Sequence, residues 1–307
     1  MSSRTLIRRS VPAVAALASA ALVLSGCGGG SSNSGSGSSS TSGGAASASA
    51  DSALAAKVPS SIKSDGVITV GSDTTYAPSE FIAADGSTIE GFDVDLFNEV
   101  AQKLGLKAKF VTAPFDSIIA GVGSQKYEVG VSSFTINSDR EAQVNMVSYF
   151  NAGTQWSTKK GNPAKVDPDN ACGKKIAVQT GTVQVDDLTK RNQDCTSAGK
   201  PGITVDQYQA QSDATAAIVS GKDDAGLADS PVMAYAVKQT NGQLELLGKV
   251  YDSAPYGYVL PKDQSDFGDA IASAVKALIS DGSYQKILDK WGVTAGAITT
   301  PAVNPSA

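Results

Sequence analysis

The chain contains no histidine. That absence removes the commonest general base and the commonest metal ligand together, so a Ser-His-Asp or Cys-His relay and a His-ligated zinc site are excluded. Cysteine is scarce, with three in 307 residues. A basic surplus is missing as well: 25 Lys and Arg stand against 30 Asp and Glu, and three of the arginines (Arg4, Arg8, Arg9) fall in the first 26 residues. The remaining chain is therefore acidic, which argues against a nucleic-acid partner or a grip on anionic lipid through a basic face. Long apolar runs are absent too. The Ala-rich stretch after Arg9 is short and ends in small residues, the marks of an export signal and not of a spanning helix.

That stretch closes with Leu24-Ser25-Gly26-Cys27, which resembles the lipobox of bacterial lipoproteins. The resemblance implies a lipoprotein signal peptide over residues 1–26, with Cys27 becoming the mature first residue and carrying lipid. The Arg8-Arg9 pair sits in flanks that suit twin-arginine export poorly, so both that route and the general secretory route stay open. Residues 27–57 are Gly, Ser, Ala and Thr with almost no bulk. Such a composition cannot bury a core and reads as a flexible tether; thirty such residues have a root-mean-square span of roughly 30 Å. Cys172 and Cys195 are then the only pair left, in polar, loop-like surroundings. An exported protein that keeps an even pair usually joins them, the alternative being two buried thiols.

From Gly66 onward, short β-branched runs alternate with helical periodicity, the pattern of parallel strands covered by helices. Val67–Val70, Lys107–Thr112 and Tyr127–Val131 read as strands. Phe92, Leu96, Val100 and Leu104 line one face of a helix that Gly105 ends, and Phe115–Val122 is a second helix. The alternation restarts at Lys175–Val178, with strands near Ile203–Tyr208, Asp224–Ala228, Leu244–Leu247 and Tyr256–Leu260. Helices over Asp266–Ser280 and Ser283–Trp291 follow. The simplest partition is α/β with two βα lobes of mixed, mainly parallel sheets and a two-segment hinge: residues 58–152 and 256–293 in lobe 1, 153–255 in lobe 2, and a polar tail over 294–307.

Six segments in this order resemble the extracellular solute-binding proteins of the polar amino-acid ABC uptake family, which have the periplasmic-binding-protein fold of type II. They are Gly71–Pro78, Gly91–Leu96, Val131–Ile136 leading to Arg140, Val178–Thr182, Asp224–Asp229, and Asp281–Tyr284 with Lys290-Trp291. The resemblance implies binding of a free amino acid and delivery to membrane permease subunits, by a monomer without cofactor, metal or catalysis, on the outer face of the cytoplasmic membrane. It assigns Arg140 to the ligand carboxylate, with Thr182 and the amides around Val183 at a helix N-terminus. Asp229 is assigned to the ammonium, with Ser132, Ser133 and Thr135 beside it; read alone, Asp229 is a helix cap before Pro231. Tyr76 and Phe115 are assigned to the ligand side chain, and Asp73 to its far end, which favours Lys, Arg, ornithine or His, then Gln. Gln179 stands where some relatives carry a charged contact, and Ser79 replaces a usual Phe. The same fold also resembles periplasmic cyclohexadienyl dehydratases, and an extracytoplasmic sensor is a further alternative.

Overall fold

The computed structural model describes residues 50–305; the signal segment, Cys27 and the tether up to residue 49 lie outside them. Eleven strands occur among the described residues. They are β1 (Val67–Ser72), β2 (Thr75–Tyr76), β3 (Glu80–Ile82), β4 (Ile89–Glu90), β5 (Lys107–Thr112), β6 (Val129–Thr135), β7 (Asn145–Lys159), β8 (Lys175–Gln179), β9 (Thr204–Tyr208), β10 (Ala225–Asp229) and β11 (Leu244–Leu260). Eight form one mixed sheet in the order β5-β1-β6-β11-β7-β10-β8-β9, and β2-β3-β4 form a small antiparallel sheet.

The separate sheets expected for the lobes are thus hydrogen-bonded into one. The cause is the length of β7 and β11, 15 and 17 residues, which pair antiparallel with each other and run through both lobes. On one side β1 lies parallel to β5 and β6; on the other β8 lies parallel to β9 and β10. The parallel strands define the first and second lobes.

Each lobe has its own apolar packing. In the first, Phe92, Leu96, Val100 and Leu104 are all buried, as their fourfold spacing predicts. They share a core with Phe267, Ile271, Val275 and Leu278 of the helix Ser265–Asp281. In the second, Trp156, Ile176, Val178, Leu188 and Leu227 pack beside Cys195. Cys172 and Cys195 form a disulfide with Cα atoms 5.6 Å apart, tying the C-terminal end of the helix Val183–Ser197 to the loop before β8.

Two expected boundaries move. The tether ends before Lys57, because Asp51 accepts hydrogen bonds from the amides of Ala53 and Leu54 and starts a helical turn over Ser52–Ala55 that buries Leu54. The polar tail is docked as far as residue 305. β10 pairs with β7 only over Thr154–Thr158, so Met146–Ser148 would be an open edge. The tail covers it: Val303 bridges Val147, the Ser148 amide donates to the Ala302 carbonyl, and the Met146 amide donates to Asn304 Oδ1.

Candidate functional site: a cleft between two lobes

At the end of β6 the chain turns with Ser133 at φ +50°, and Asn137 then caps a short turn of helix by accepting from the Arg140 amide at 2.9 Å. This brings Arg140 into the junction between the lobes, where it is buried. Its guanidinium lies over Phe115 and Phe134, 5.5 and 5.4 Å from the ring centres, and those rings stack at 4.6 Å. Nη1 donates to the Thr135 carbonyl (2.7 Å) and Nη2 to the Gly181 carbonyl of the opposite lobe (3.2 Å). Burial pulls the Arg140 pKa down; the negative charge of Asp229, then of Asp186, works the other way. The side chain is a held cation with stacking on one face, a geometry lysine cannot reproduce.

Asp229 ends β10 and occupies the N-cap position of the helix Ser230–Gln239, with Pro231 in its first turn. Its side chain does not cap that helix. Oδ2 accepts from Tyr76 Oη (2.9 Å) and Tyr256 Oη (2.7 Å), and Oδ1 from Gln184 Nε2 (2.8 Å). Burial raises its pKa, while hydrogen bonds from Tyr256, Tyr76 and Gln184 and the charge of Arg140 hold the rise back. Burial followed by the charge of Asp229 drives both tyrosines well above their usual range, so they are neutral donors. Tyr76 belongs to the first lobe's small sheet, yet its ring packs with Ala228 and Val232 of the second lobe.

Thr182 precedes the helix Val183–Ser197 but turns its hydroxyl to the Gln179 carbonyl (2.7 Å), leaving the first-turn amides without a side-chain cap. Gly181 before it has φ +79°, and a Cβ there would come within 2.9 Å of Asp116 Cβ in the other lobe. A side chain at this position would hold the lobes apart.

Tyr76, Phe115, Ser133, Thr135, Arg140, Thr182, Val183, Gln184 and Asp229 line one cavity of about 10 Å³. Eight of these nine are sequence-predicted site residues, and Gln184 is new. Three predicted residues lie outside the lining. Ser132 hydrogen-bonds to the Asp73 amide and Glu80. Asp73 accepts from the Thr75 amide and hydroxyl, at 2.9 and 2.6 Å, and from Gln179 Nε2 of the other lobe at 2.6 Å. Its pKa is raised by burial against those donors. Gln179 Oε1 and Gln211 Oε1 are buried with no donor, and the Gln211 amide donates to Thr75 Oγ1 across the junction. Tyr256 was missed as well: in the run Tyr256-Gly257-Tyr258 alternating aromatics read as core.

The model of the bacterial extracellular solute-binding proteins, family 3, matches residues 68–294. The chain belongs to that family. Among its family relatives, the arginine-binding protein ArgT of Corynebacterium glutamicum is 34% identical over 252 residues, covering 82% of each chain. An ancestral arginine-binding protein, solved with arginine and again with glutamine, superposes with a TM-score of 0.68 at 33% identity, over 74% of this chain and 98% of that one. An ancestral amino acid-binding protein that is a precursor of cyclohexadienyl dehydratase matches with a TM-score of 0.68 at 28% identity, over 75% and 97%. The two-lobed α/β architecture is that of these amino-acid-binding neighbours.

Proposed function

We propose that the chain binds a free α-amino acid, with preference for a cationic side chain, between its lobes and delivers it to the permease of an ABC importer. The observation that carries this reading is that two buried groups of opposite charge, Arg140 and Asp229, line one cavity together with the N-terminus of the helix Val183–Ser197. An amino acid presents a carboxylate and an ammonium on one carbon. Arg140 and the first-turn amides are donors for the first, and Asp229 is the acceptor for the second, the ammonium taking over from the tyrosine and glutamine donors that now satisfy it. The cavity has room on the scale of one water molecule, so an amino acid enters only when the lobes part. Its contacts to both lobes then draw them together, shifting an open-closed equilibrium.

The preference rests on the far end. Asp73 with the unpaired acceptors Gln179 Oε1 and Gln211 Oε1 favours a donor-rich ligand terminus: arginine, lysine, ornithine or protonated histidine first, then glutamine. Relatives named for arginine binding support the cationic preference. In this reading the protein is a monomer without cofactor, exported and held to the outer face of the cytoplasmic membrane by lipid on Cys27; among the described residues no helix is long and apolar enough to cross a membrane.

A thermal-shift screen of the purified chain against the amino acids tests the reading. A ligand at a hundredfold excess over its dissociation constant adds about 2.7 kcal/mol to stability. Shifts are expected for the cationic amino acids and then glutamine; no shift with any amino acid refutes the reading. The likeness to a dehydratase precursor favours one second reading, an enzyme on the same scaffold, which turnover of prephenate or arogenate would establish.

A further inference from the structure

Two carboxyl groups that the proposed ligand contacts do not use lie directly behind them. Glu80 on β3 and Asp93 in the first turn of the helix Phe92–Lys103 are both completely buried, at 0% exposure. Glu80 Oε1 accepts from Ser132 Oγ at 2.8 Å, and Ser132 Oγ itself accepts from the Asp73 amide at 3.0 Å. Asp93 Oδ2 accepts from Tyr149 Oη (2.6 Å), the Ser133 amide (3.0 Å) and Ser133 Oγ (3.2 Å). Together the two acids hold both serines near the end of β6, where it enters the cleft. Ser133 is at φ +50°, a conformation that a residue with a Cβ keeps only when its surroundings impose it.

One oxygen of each acid, Glu80 Oε2 and Asp93 Oδ1, is buried and meets no N–H or O–H donor, and the two acids are held by consecutive residues, Ser132 and Ser133. Were both acids ionised, neither of these oxygens would have a hydrogen to meet, whereas a proton on one acid supplies a donor. Among the described residues no ion pair includes either acid. The titratable groups facing the pair are Asp73, Tyr76, Tyr149, Tyr258 and Tyr284, none of which supplies a compensating positive charge.

We infer that Glu80 and Asp93 share one proton at neutral pH, and that this pair is the positioning device for the Ser132-Ser133 segment of β6 and, through Ser132, for the Asp73 backbone. The proton resides on Glu80. Asp93 has three protein donors that favour its ionised form, whereas Glu80 has one, and burial with the charge of Asp93 pushes Glu80 well above the ordinary carboxylate range. The pair thus carries one negative charge, not two, in an interior that would not tolerate two side by side.

Glu80→Gln puts an amide N–H where the shared proton lies and keeps a carbonyl for Ser132; Glu80→Ala removes both. With L-arginine as the probe, calorimetry should show Glu80→Ala weaker by about tenfold or more and Glu80→Gln within about threefold of the wild type at pH 7. The infrared spectrum of the wild-type chain at neutral pH should contain a carboxylic-acid carbonyl band that Glu80→Gln lacks. As pH rises above neutrality the wild type should lose more thermal stability than Glu80→Gln, since a proton held above the ordinary carboxylate range is released as pH rises. No lost band, together with equal pH profiles for the two proteins, overturns the shared proton; Glu80→Gln as weak as Glu80→Ala overturns the positioning role. That role rests on the amino-acid-binding reading, but the infrared and stability measurements do not. Failure of the wild type to bind L-arginine would therefore count against that reading and leave the proton to be decided by the spectrum.

Discussion

At one end of the cleft two buried charges of opposite sign, Arg140 and Asp229, line a shared cavity, whereas at the other end Asp73 has only the neutral partners Thr75 and Gln179. The first end is built from aromatic stacking, two tyrosine hydroxyls and a helix N-terminus. The second is a single acid with two unpaired carboxamide oxygens nearby. A site that must hold groups common to every amino acid needs fixed donors and acceptors of both signs. A site that only ranks side chains needs one charge that can be satisfied or left unpaired. The two ends should therefore respond differently to substitution.

The largest effect is expected at Asp229. Asp229→Ala leaves two tyrosine hydroxyls and Gln184 without their acceptor and the ligand ammonium without its partner, so calorimetry should show a loss of about 3–5 kcal/mol for every amino acid that binds. Arg140→Ala comes next, at about 2–4 kcal/mol and again for all ligands, because it removes a charge-assisted donor to the carboxylate. Either variant weakening one amino acid while sparing another would break the division between the two ends.

The pH dependence sharpens it. Burial raises the pKa of Asp229 above its ordinary 3.8, so the folded chain holds this proton more tightly than the unfolded chain. That contribution to stability is complete below about pH 4 and is lost as pH rises through the raised value. Binding runs the other way, since an ammonium pairs only with ionised Asp229. Affinity measured from pH 4 upward should therefore strengthen toward neutrality while the stability contributed by this group declines. Affinity falling over that range would contradict the assignment.

A smaller and selective effect is expected at Asp73. Asp73→Asn should weaken arginine by about 1–2 kcal/mol and glutamine by less than about 0.5 kcal/mol, as only the former loses an ion pair. Smallest of all for binding is the disulfide. Cys172→Ser with Cys195→Ser should cost roughly 2–4 kcal/mol of stability with no change in affinity, because the bridge lies at the far end of the helix whose first turn meets the cavity.

Much of this was legible in the sequence because it is local. Fourfold spacing placed the helix from Phe92, β-branched runs placed β1 and β8, and short motifs pointed to Arg140 and Asp229. What escaped is what depends on partners far apart in the chain. Tyr76 and Asp229 are separated by 153 positions and Tyr149 and Asp93 by 56, and no periodicity records such pairings. Glu80 carries no local mark of burial in the sequence, yet the fold buries it against Ser132. The length of β7 was hidden for a related reason: its residues are buried on both faces, so the alternation that marks a half-exposed strand is missing.

The central claim, that the cleft grips a free amino acid by both groups on its α-carbon, is tested most directly by comparing L-arginine with agmatine, which keeps the guanidinium and the amine but lacks the carboxylate. Calorimetric titration should give one L-arginine per chain and agmatine at least about a hundredfold weaker, because Arg140 and the first-turn amides of the helix Val183–Ser197 lose their anion. Agmatine binding as tightly as L-arginine would contradict the account.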